Sequence, residues 1–207
     1  MTETNEKFSR LADQAAIDRV IKALEEKGIS VDLAENNDEA VKKIFGLIPE
    51  GAEVMTMTST SLVQLGADKI INESGKFQSA RQTFKTLDEE NRKMEIKRLG
   101  SAPSWAIGSV HALLEDGSLL IASATGSQLP AYAYGADNVL WVIGAQKIVK
   151  DLDEGMKRIY DYVFPLENER SLKAYGMGSG VNKVLLINKE TVPGRLNVLI
   201  VKQKLGF

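Results

Sequence analysis

Residues 108–130 read GSVHALLEDGSLLIASATGSQLP and carry the clearest structural signal in the sequence. Apolar stretches lie on each side of Asp116-Gly117, which predicts two antiparallel strands joined by a type I′ hairpin turn. The second apolar run, SLLIAS, then stops at small or polar residues: Thr125, Gly126, Ser127 and Gln128. Groups of this kind can hold an anion, and they also form ordinary turns and helix caps. The stretch therefore predicts a buried hairpin followed by a loop that is able to bind a ligand.

The sequence before this hairpin alternates between helical and strand patterns. Apolar residues recur at helical spacing over about residues 8–27, and Gly28 ends that helix. Residues 29–33 alternate as a strand, a second helix follows the capping residues 36–38, and residues 54–57 form a second strand. This order of helix, strand, helix and strand indicates an α/β fold with a largely parallel sheet.

The remainder of the chain continues in the same way. The charged segment 85–99 predicts a solvent-facing helix or a long excursion. It is followed by a buried strand over 139–143, an amphipathic helix over 151–164 and two final strands, 184–187 and 196–201. No repeat, low-complexity segment or linker interrupts residues 1–207, so we expect one domain that includes the N-terminal helix. The paired apolar strands near the C-terminus offer a surface for a homo-oligomer.

Composition excludes several classes of function. The 207 residues are 43% hydrophobic with a formal net charge of -2, which gives no electrostatic surplus for nucleic acid or an anionic membrane. There are no cysteines and a single histidine, His111. These counts exclude thiolate zinc, cysteine-ligated iron–sulfur clusters, cysteine nucleophiles and multi-histidine metal sites, so we expect no metal and no cofactor. The N-terminus lacks signal-peptide order and no apolar run reaches the ~18 residues of a membrane span, which favours a cytoplasmic protein.

Three predicted loops carry side chains suited to an anionic ligand. They contribute Thr58, Ser59 and Ser61, then Thr125, Gly126, Ser127 and Gln128, and then Ser179, Asn182 and Lys183. In open α/β sheets, ligands bind beyond the carboxyl ends of the strands, where backbone N–H groups and helix N-termini point outward. Each loop also has a purely structural explanation: helix capping, a turn before Pro130, or a bend that glycine permits. The predicted site therefore depends on their convergence at one edge of the sheet.

Titratable candidates are few. Glu115 is the candidate catalytic carboxylate, because a carboxylate near a desolvated loop can act as a nucleophile or as a general acid and base. Alternatively, Glu115 is an exposed carboxylate before the hairpin turn that has no catalytic role. His111 lies in an alternating strand pattern, which is more typical of a structural or merely exposed histidine. Lys183 and Arg195 are the cations that could meet an anionic ligand.

Several segments, in order, resemble the LUD-domain family, which includes lactate-utilisation protein C (LutC/YkgG). They are residues 108–130, then GADNVLWVIGAQKIVKDLDEGMKRI (135–159), AYGMGSGVNKVLLINKE (174–190), and the closing PGR and KLGF. The resemblance implies the NagB/RpiA/CoA-transferase-like fold, a Rossmann-like three-layer αβα sandwich. It also implies a connection with the oxidation of lactate to pyruvate beside iron–sulfur partner proteins. Because this chain has no cysteine, it carries no cluster of its own.

The wider fold suggests two enzyme analogies, and whether the chain is an enzyme stays open. Residues 58–61 are similar to the phosphate loop of sugar-phosphate isomerases. Residues 115–117 are similar to the acyl-carrying segment of CoA-transferases, although Met57-Thr58-Ser59 stands where those enzymes have a glycine-rich oxyanion loop. We predict first a LUD-domain component or accessory factor of lactate (2-hydroxy-acid) utilisation that binds a small anionic metabolite. A non-catalytic ligand sensor or assembly subunit is the alternative, and the two analogies rank below both.

Overall fold

A computed structural model describes residues 5–90 and 92–207. The strands among these residues are β1 (Ser30–Ala34), β2 (Glu53–Thr56), β3 (Gln78–Ser79), β4 (Trp105–Gly108), β5 (Ala112–Leu114), β6 (Leu119–Ser123), β7 (Asn138–Gly144), β8 (Ile148–Val149), β9 (Lys183–Ile187) and β10 (Leu196–Val201). The α-helices are α1 (Gln14–Glu26), α2 (Asn37–Leu47), α3 (Thr60–Leu65), α4 (Ala67–Glu73), α5 (Ala80–Thr86), α6 (Arg92–Ser101), α7 (Leu152–Arg158) and α8 (Phe164–Tyr175). Short 3-10 turns lie at Glu6–Ser9 and Ala145–Lys147, and π-helical turns lie at Ala131–Gly135 and Ile159–Val163.

The strands form two sheets. Six of them pair in parallel in the order β1-β10-β7-β4-β2-β3, and four form a smaller sheet in the order β8-β5-β6-β9. Helices flank the six-stranded sheet on both faces, which makes a three-layer αβα sandwich with the smaller sheet in one outer layer. The predicted α/β class, the largely parallel sheet and the β-hairpin are therefore confirmed.

The apolar pattern of the strands explains this layering. β7 reads NVLWVIG and is buried from its second residue onward, as expected for a central parallel strand that is covered on both faces. Trp141 packs on the face that holds α1 and the β5–β6 hairpin, whereas Val142 packs on the face that holds α2, α3 and α4. A third apolar cluster joins the outer face of the smaller sheet to the π-helical turn after α7 through Ile159 and Tyr162.

Some local predictions were wrong, each for a physical reason. The hairpin turn is not type I′, because only Gly117 has a positive φ (81°), while the Asp116 carboxylate accepts a hydrogen bond from the Ser118 N–H at 2.8 Å. The first helix begins at Gln14 rather than near residue 8, because Asp13 caps it by accepting from the Ala16 N–H.

Two further differences concern the C-terminal part of the chain. The helix predicted over 151–164 continues through a π-helical turn into α8 and ends only at Gly176, whose φ of 70° closes it. The last two strands do not pair with each other, because β9 pairs with β6 and β10 lies between β1 and β7. Two β9 side chains, Val184 and Leu186, are exposed at the edge of the smaller sheet.

No helix among residues 5–90 and 92–207 is both long enough and apolar enough to cross a bilayer.

The connections that leave β2 and β4 run in opposite directions. After β2 the chain passes through α3 and α4 to β3 at one edge of the sheet, whereas after β4 it passes through the hairpin to β7 on the other side. These connections also lie on opposite faces of the sheet. Adjacent parallel strands whose connections diverge leave a crevice at their carboxyl ends, and ligands bind there in open α/β sheets. A ligand site is therefore expected at the carboxyl ends of β2 and β4.

Candidate functional site

Lys147 joins the two loops that border this crevice. Its Nζ donates to Ser61 Oγ (3.1 Å), which follows β2, and to Ser109 Oγ (3.0 Å), which follows β4. A third hydrogen bond, to the Val110 carbonyl oxygen, is 3.2 Å long. Lys147 reaches this position because it closes the 3-10 turn directly after the central strand β7. The side chain therefore lies at the topological switch point of the sheet.

Lys147 is a buried amine whose three hydrogen-bond acceptors are all neutral. Its exposed fraction is 2%, and within the described residues no carboxylate forms an ion pair with it. Burial, together with the charge of Arg158, holds the pKa of Lys147 well below its usual 10.5. A buried charge without a counter-charge is costly for a fold to keep, so such a group suggests a functional role.

Arg158 is a second buried cation beside the same crevice. It ends α7, a helix that begins where the Asp151 carboxylate accepts from the Glu154 N–H at 2.9 Å. One Nη1–H donates to the His111 carbonyl oxygen, and the guanidinium lies 5.4 Å from the centre of the Tyr162 ring. Nε and Nη2 are buried and have no hydrogen-bond partner among the described residues. Burial lowers the pKa of Arg158 to about 10, so the group remains charged near neutral pH.

His111 lies between these cations and stays neutral. Its Nδ1 accepts a hydrogen bond from the Ala122 N–H at 3.0 Å, so in the neutral ring the proton is on Nε2. Burial, and then the charges of Lys147 and Arg158, lower the pKa of His111 to about 3. The imidazole therefore adds a hydrogen-bond donor but no basic group near pH 7. The three side chains form a positively charged cluster to which the described residues contribute no carboxylate.

Tyr132 forms one wall of the crevice. The π-helical turn Ala131–Gly135 places its ring edge-on against Trp141, with the ring centres 5.3 Å apart. A side chain at Gly108 would collide with the Tyr132 hydroxyl oxygen and would bring its Cβ to 3.1 Å from the Met57 Cβ. Burial raises the pKa of the Tyr132 hydroxyl, so it remains protonated. π-Helical turns occur often at functional sites, and here one precedes β7 while another follows Arg158.

The C-terminal segment covers the crevice from the side of α3. Gln146 holds it, since its Nε2 donates to the Leu205 carbonyl oxygen at 2.9 Å and its Oε1 accepts from the Leu205 N–H at 3.2 Å. Ser61 Oγ also donates to the Leu205 carbonyl oxygen, at 3.2 Å. Gly206 has a φ of 62°, and a Cβ there would lie only 2.5 Å from Ser61 Oγ. The tail therefore packs directly against the hydroxyl that contacts Lys147.

The first predicted loop lies at the crevice. Ser61 is buried and contacts Lys147, as described above. Thr58 is exposed and accepts from Arg81 Nη2 at 3.1 Å. Ser59 caps α3, since its hydroxyl oxygen lies 3.5 Å from the Leu62 N–H that it accepts from. The capping explanation thus describes Ser59, while Ser61 takes part in the cationic cluster.

Parts of the other two predicted loops lie together. Asn182 donates to the Ala124 carbonyl oxygen at 3.1 Å, and the Lys183 side chain crosses Gly126, where a Cβ would be 2.7 Å from its Cδ. Within this loop Thr125 Oγ1 donates to Ser127 Oγ (3.1 Å), and Gln128 accepts from Ser123 Oγ (2.9 Å). Ser179 lies against α8 instead, with its N–H donating to Asn168 Oδ1 at 2.9 Å. The three hydrogen bonds of Lys147 go instead to Ser61, Ser109 and Val110.

Glu115 lies at the opposite end of β5 from the cluster. Its two carboxylate oxygens accept from Arg19 Nε (2.9 Å) and Nη2 (3.0 Å) on α1. The pair is partly exposed, with 29% of the Glu115 side chain accessible. A catalytic role for Glu115 stays a prediction, and it would require a reaction site beside α1.

Sequence reasoning missed Lys147, Arg158, Tyr132 and Arg81. A signal was present for two of them. Arg158 has Gly155 three residues before it and Tyr162 four residues after it, so a cation lies on the buried face of an otherwise amphipathic helix. Lys147 lies in the short turn that follows the buried strand β7, which places it at the carboxyl edge of the sheet. Tyr132 and Arg81 could be assigned to the site only from the tertiary structure.

The fold and this crevice define a doubly wound α/β protein with a cationic cluster at its switch point. The LUD domain family model matches residues 17–201, which is most of the chain. The chain therefore belongs to the LUD domain family.

Two solved structures are similar to this chain to different degrees. A DUF162 family protein from Deinococcus radiodurans superposes with a TM-score of 0.55 at 11% identity, covering 93% of this chain and 99% of that one. eIF2B beta from Chaetomium thermophilum has a TM-score of 0.38 at 12% identity, covering 68% of this chain and 48% of that one. The first likeness supports the fold alone. No curated protein matches the sequence.

Proposed function

We propose that this LUD-family protein binds a small anionic metabolite at the switch-point crevice and serves lactate (2-hydroxy-acid) utilisation in the cytoplasm as a component or accessory factor. One observation carries the proposal: Arg158 is fully buried, and its Nε and Nη2 lack any acceptor among the described residues. Lys147 has no carboxylate partner among the described residues, and the charge of Arg158 lowers its pKa. A bound anion would supply the acceptors and the negative charge that this cluster lacks.

The donors of the cluster suit a carboxylate. A guanidinium whose Nε and Nη2 donors are free can pair with a planar oxyanion in a bidentate fork, and it stays charged at neutral pH. Ser61 and Ser109 already donate to backbone carbonyls, so their oxygens would accept from a 2-hydroxy group, and the protonated Tyr132 hydroxyl would donate to its oxygen. A 2-hydroxy acid therefore matches both the charge and the hydrogen-bonding groups of the site.

Ligand entry would require a local opening. Lys147 and Arg158 are 2% and 0% exposed, and the tail residues Leu205 and Gly206 pack over Ser61. We propose that the tail moves aside while the anion binds, which would break its hydrogen bonds to Gln146 and Gln64 and withdraw Leu205 from the apolar cluster beneath it.

The proposal includes iron–sulfur partner proteins. Conversion of a 2-hydroxy acid into a 2-oxo acid removes two electrons and two protons, so an electron acceptor is needed. The 207 residues contain no cysteine with which to hold a cluster, so a cluster would belong to a partner.

A non-catalytic ligand sensor or assembly subunit is the second candidate. It is favoured by the low pKa of His111, about 3, which leaves the imidazole without base strength near pH 7, and by the engagement of Glu115 with Arg19. The His111 imidazole would then serve as a hydrogen-bond donor for binding rather than as a base. Glu115→Gln separates the two candidates, because only an enzyme that uses this carboxylate would lose turnover while keeping its ligand.

Thermal unfolding and calorimetry with lactate, pyruvate and inorganic phosphate test the proposal. A ligand at about 100 times its Kd should stabilise the protein by about 2.7 kcal/mol. Lys147→Met should abolish this stabilisation, whereas Lys157→Met, which removes an exposed lysine from α7, should leave it unchanged. Binding that survives Lys147→Met, or no binding of any of the three anions, would contradict the proposed site.

A further inference from the structure

Arg81 lies at the same sheet edge as the crevice, on the far side of β2 from β4. It is the second residue of α5 and directly follows β3, which pairs in parallel with β2. Its Nε donates to the Thr56 carbonyl oxygen at 2.6 Å, and its Nη2 donates to Thr58 Oγ1 at 3.1 Å. These two bonds hold the guanidinium against the segment that leaves β2.

The two bonds leave Arg81 incompletely satisfied. Both acceptors are neutral, and among residues 5–90 and 92–207 no carboxylate forms an ion pair with Arg81 and no acceptor meets its Nη1. The residue is half-buried, and burial lowers its pKa, although electrostatic interactions with Tyr175 and Asp68 act in the opposite direction. Arg170, by contrast, is neutralised by Glu167 through two hydrogen bonds of 2.7 and 2.8 Å. Arg81 is therefore a cation in a fixed position, and some of its N–H groups remain free to bind a ligand.

The segment that leaves β2 consequently has one cation at each end. Arg81 contacts Thr58, and Lys147 contacts Ser61 three residues later. Three residues span at most about 11 Å between Cα atoms, so the two contact points lie within reach of one small molecule. Ser59 and Thr60 lie between them and are half-buried.

We infer that the ligand of the crevice carries two acidic groups, one held by Lys147 and Arg158 and a second carboxylate or phosphate held by Arg81. This inference rests on the proposed function and narrows its substrate class. Lactate would fill only the inner position, whereas a 2-hydroxy acid with a further carboxylate or phosphate would fill both. Arg81 is suited to the second group because its position is already fixed and its remaining N–H groups can pair with an oxyanion.

Calorimetry with two matched pairs of acids tests the inference. Malate adds one carboxylate to lactate, and 3-phosphoglycerate adds one phosphate to glycerate. In at least one of the two pairs, we expect the acid with the second acidic group to have a Kd at least about tenfold lower than that of its partner. Arg81→Gln should abolish this preference while changing the Kd of lactate by less than about twofold, because lactate does not reach Arg81. Arg81→Lys keeps the charge but not the fork and should keep part of the preference.

Controls keep this outcome separate from that of the proposed function. Arg98→Gln removes an exposed arginine that forms an ion pair with Glu95, and it should leave both affinities unchanged. If Lys147→Met weakens lactate binding but the second acidic group gives no advantage, or Arg81→Gln weakens both acids equally, the inference alone fails. If lactate binds independently of Lys147, or none of the four acids binds, the proposed function fails and the inference fails with it. Thermal unfolding of Arg81→Gln verifies that its fold is intact.

Discussion

The buried guanidinium of Arg158 lowers the pKa of the buried Lys147 amine, and within the described residues no carboxylate pairs with either side chain. Their hydrogen-bond acceptors are neutral: Lys147 donates to two serine hydroxyls and one backbone carbonyl, and Arg158 donates to one backbone carbonyl. Neutral dipoles offset only part of the cost of removing a charge from water. The arrangement is therefore less stable than an apolar core of the same shape, which is typical of a site built for a ligand.

Lys147→Met tests this cost directly. Methionine has a similar length but no charge, and Ser61 and Ser109 keep their own donations to Leu205 and Val142 carbonyls. In the absence of added anions we expect the free energy of unfolding to rise by on the order of 1 kcal/mol at neutral pH. Urea denaturation measures the change. A loss of stability of about 3 kcal/mol or more would show instead that Lys147 is a structural brace.

Acid should destabilise the protein through His111. Its pKa is about 3 in the folded protein against 6.5 in the unfolded chain, so between these values the unfolded state holds more protons. The stability is fully present above about pH 6.5 and falls with decreasing pH below it, by up to about 1.4 kcal/mol per pH unit. His111→Asn keeps an oxygen able to accept from the Ala122 N–H and should flatten this slope. Urea denaturation between about pH 4.5 and 7.5 measures both slopes, and equal slopes would contradict the assignment.

Much of the fold follows from local patterns in the sequence. The β5–β6 hairpin, the buried strand β7 and the alternation of helices with parallel strands are visible as apolar runs, spacing and turn residues. The ends of helices were harder to predict where two local sequence signals compete. At the N-terminus, apolar spacing continues to Phe8, but Asp13 caps the helix and Phe8 joins another cluster. Pairing between β10 and β7 is non-local, so no short segment could indicate it.

The candidate site was predictable only in part. Ser61 was identified because hydroxyl residues after a strand are a recognisable pattern, and it contacts Lys147. Arg158 was not, because a cation on a helix is normally solvated and its burial arises from packing against the smaller sheet. Tyr132 and Arg81 approach the crevice from elements distant in sequence, and their positions depend on the order of the strands. Site residues that directly follow a strand could thus be predicted from the sequence. Site residues brought together from separate elements could not.

Gly108→Ala should strain the wall of the crevice. The added methyl group would collide with the Tyr132 hydroxyl and crowd Met57, so we expect a loss of about 1–3 kcal/mol. Tyr132→Phe in the same variant removes the oxygen that collides and should recover part of the loss. Gly46→Ala is the matched control, because its Cβ would meet nothing within 4 Å and it lies in α2, where alanine should stabilise by about 0.5–1 kcal/mol. Equal effects of the two glycine substitutions in thermal unfolding would contradict the packing described for Tyr132.

Gln146→Ala should release the C-terminal tail. The substitution removes the side chain that both donates to and accepts from the backbone of Leu205, so a buried N–H loses its partner at a cost of about 1–3 kcal/mol.

Because the tail lies against Ser61, its release should expose the crevice, speed trypsin cleavage after Lys204 and accelerate hydrogen exchange at the Leu205 amide. Mass spectrometry of time-resolved digests measures the first effect and amide exchange the second. Gln203→Ala is the control, since that side chain is exposed on the same segment and should change neither rate. A tail that remains protected in Gln146→Ala would mean that the contacts of Gly206 with Gln64 and Ser61 hold it without help, and ligand entry would then need another route.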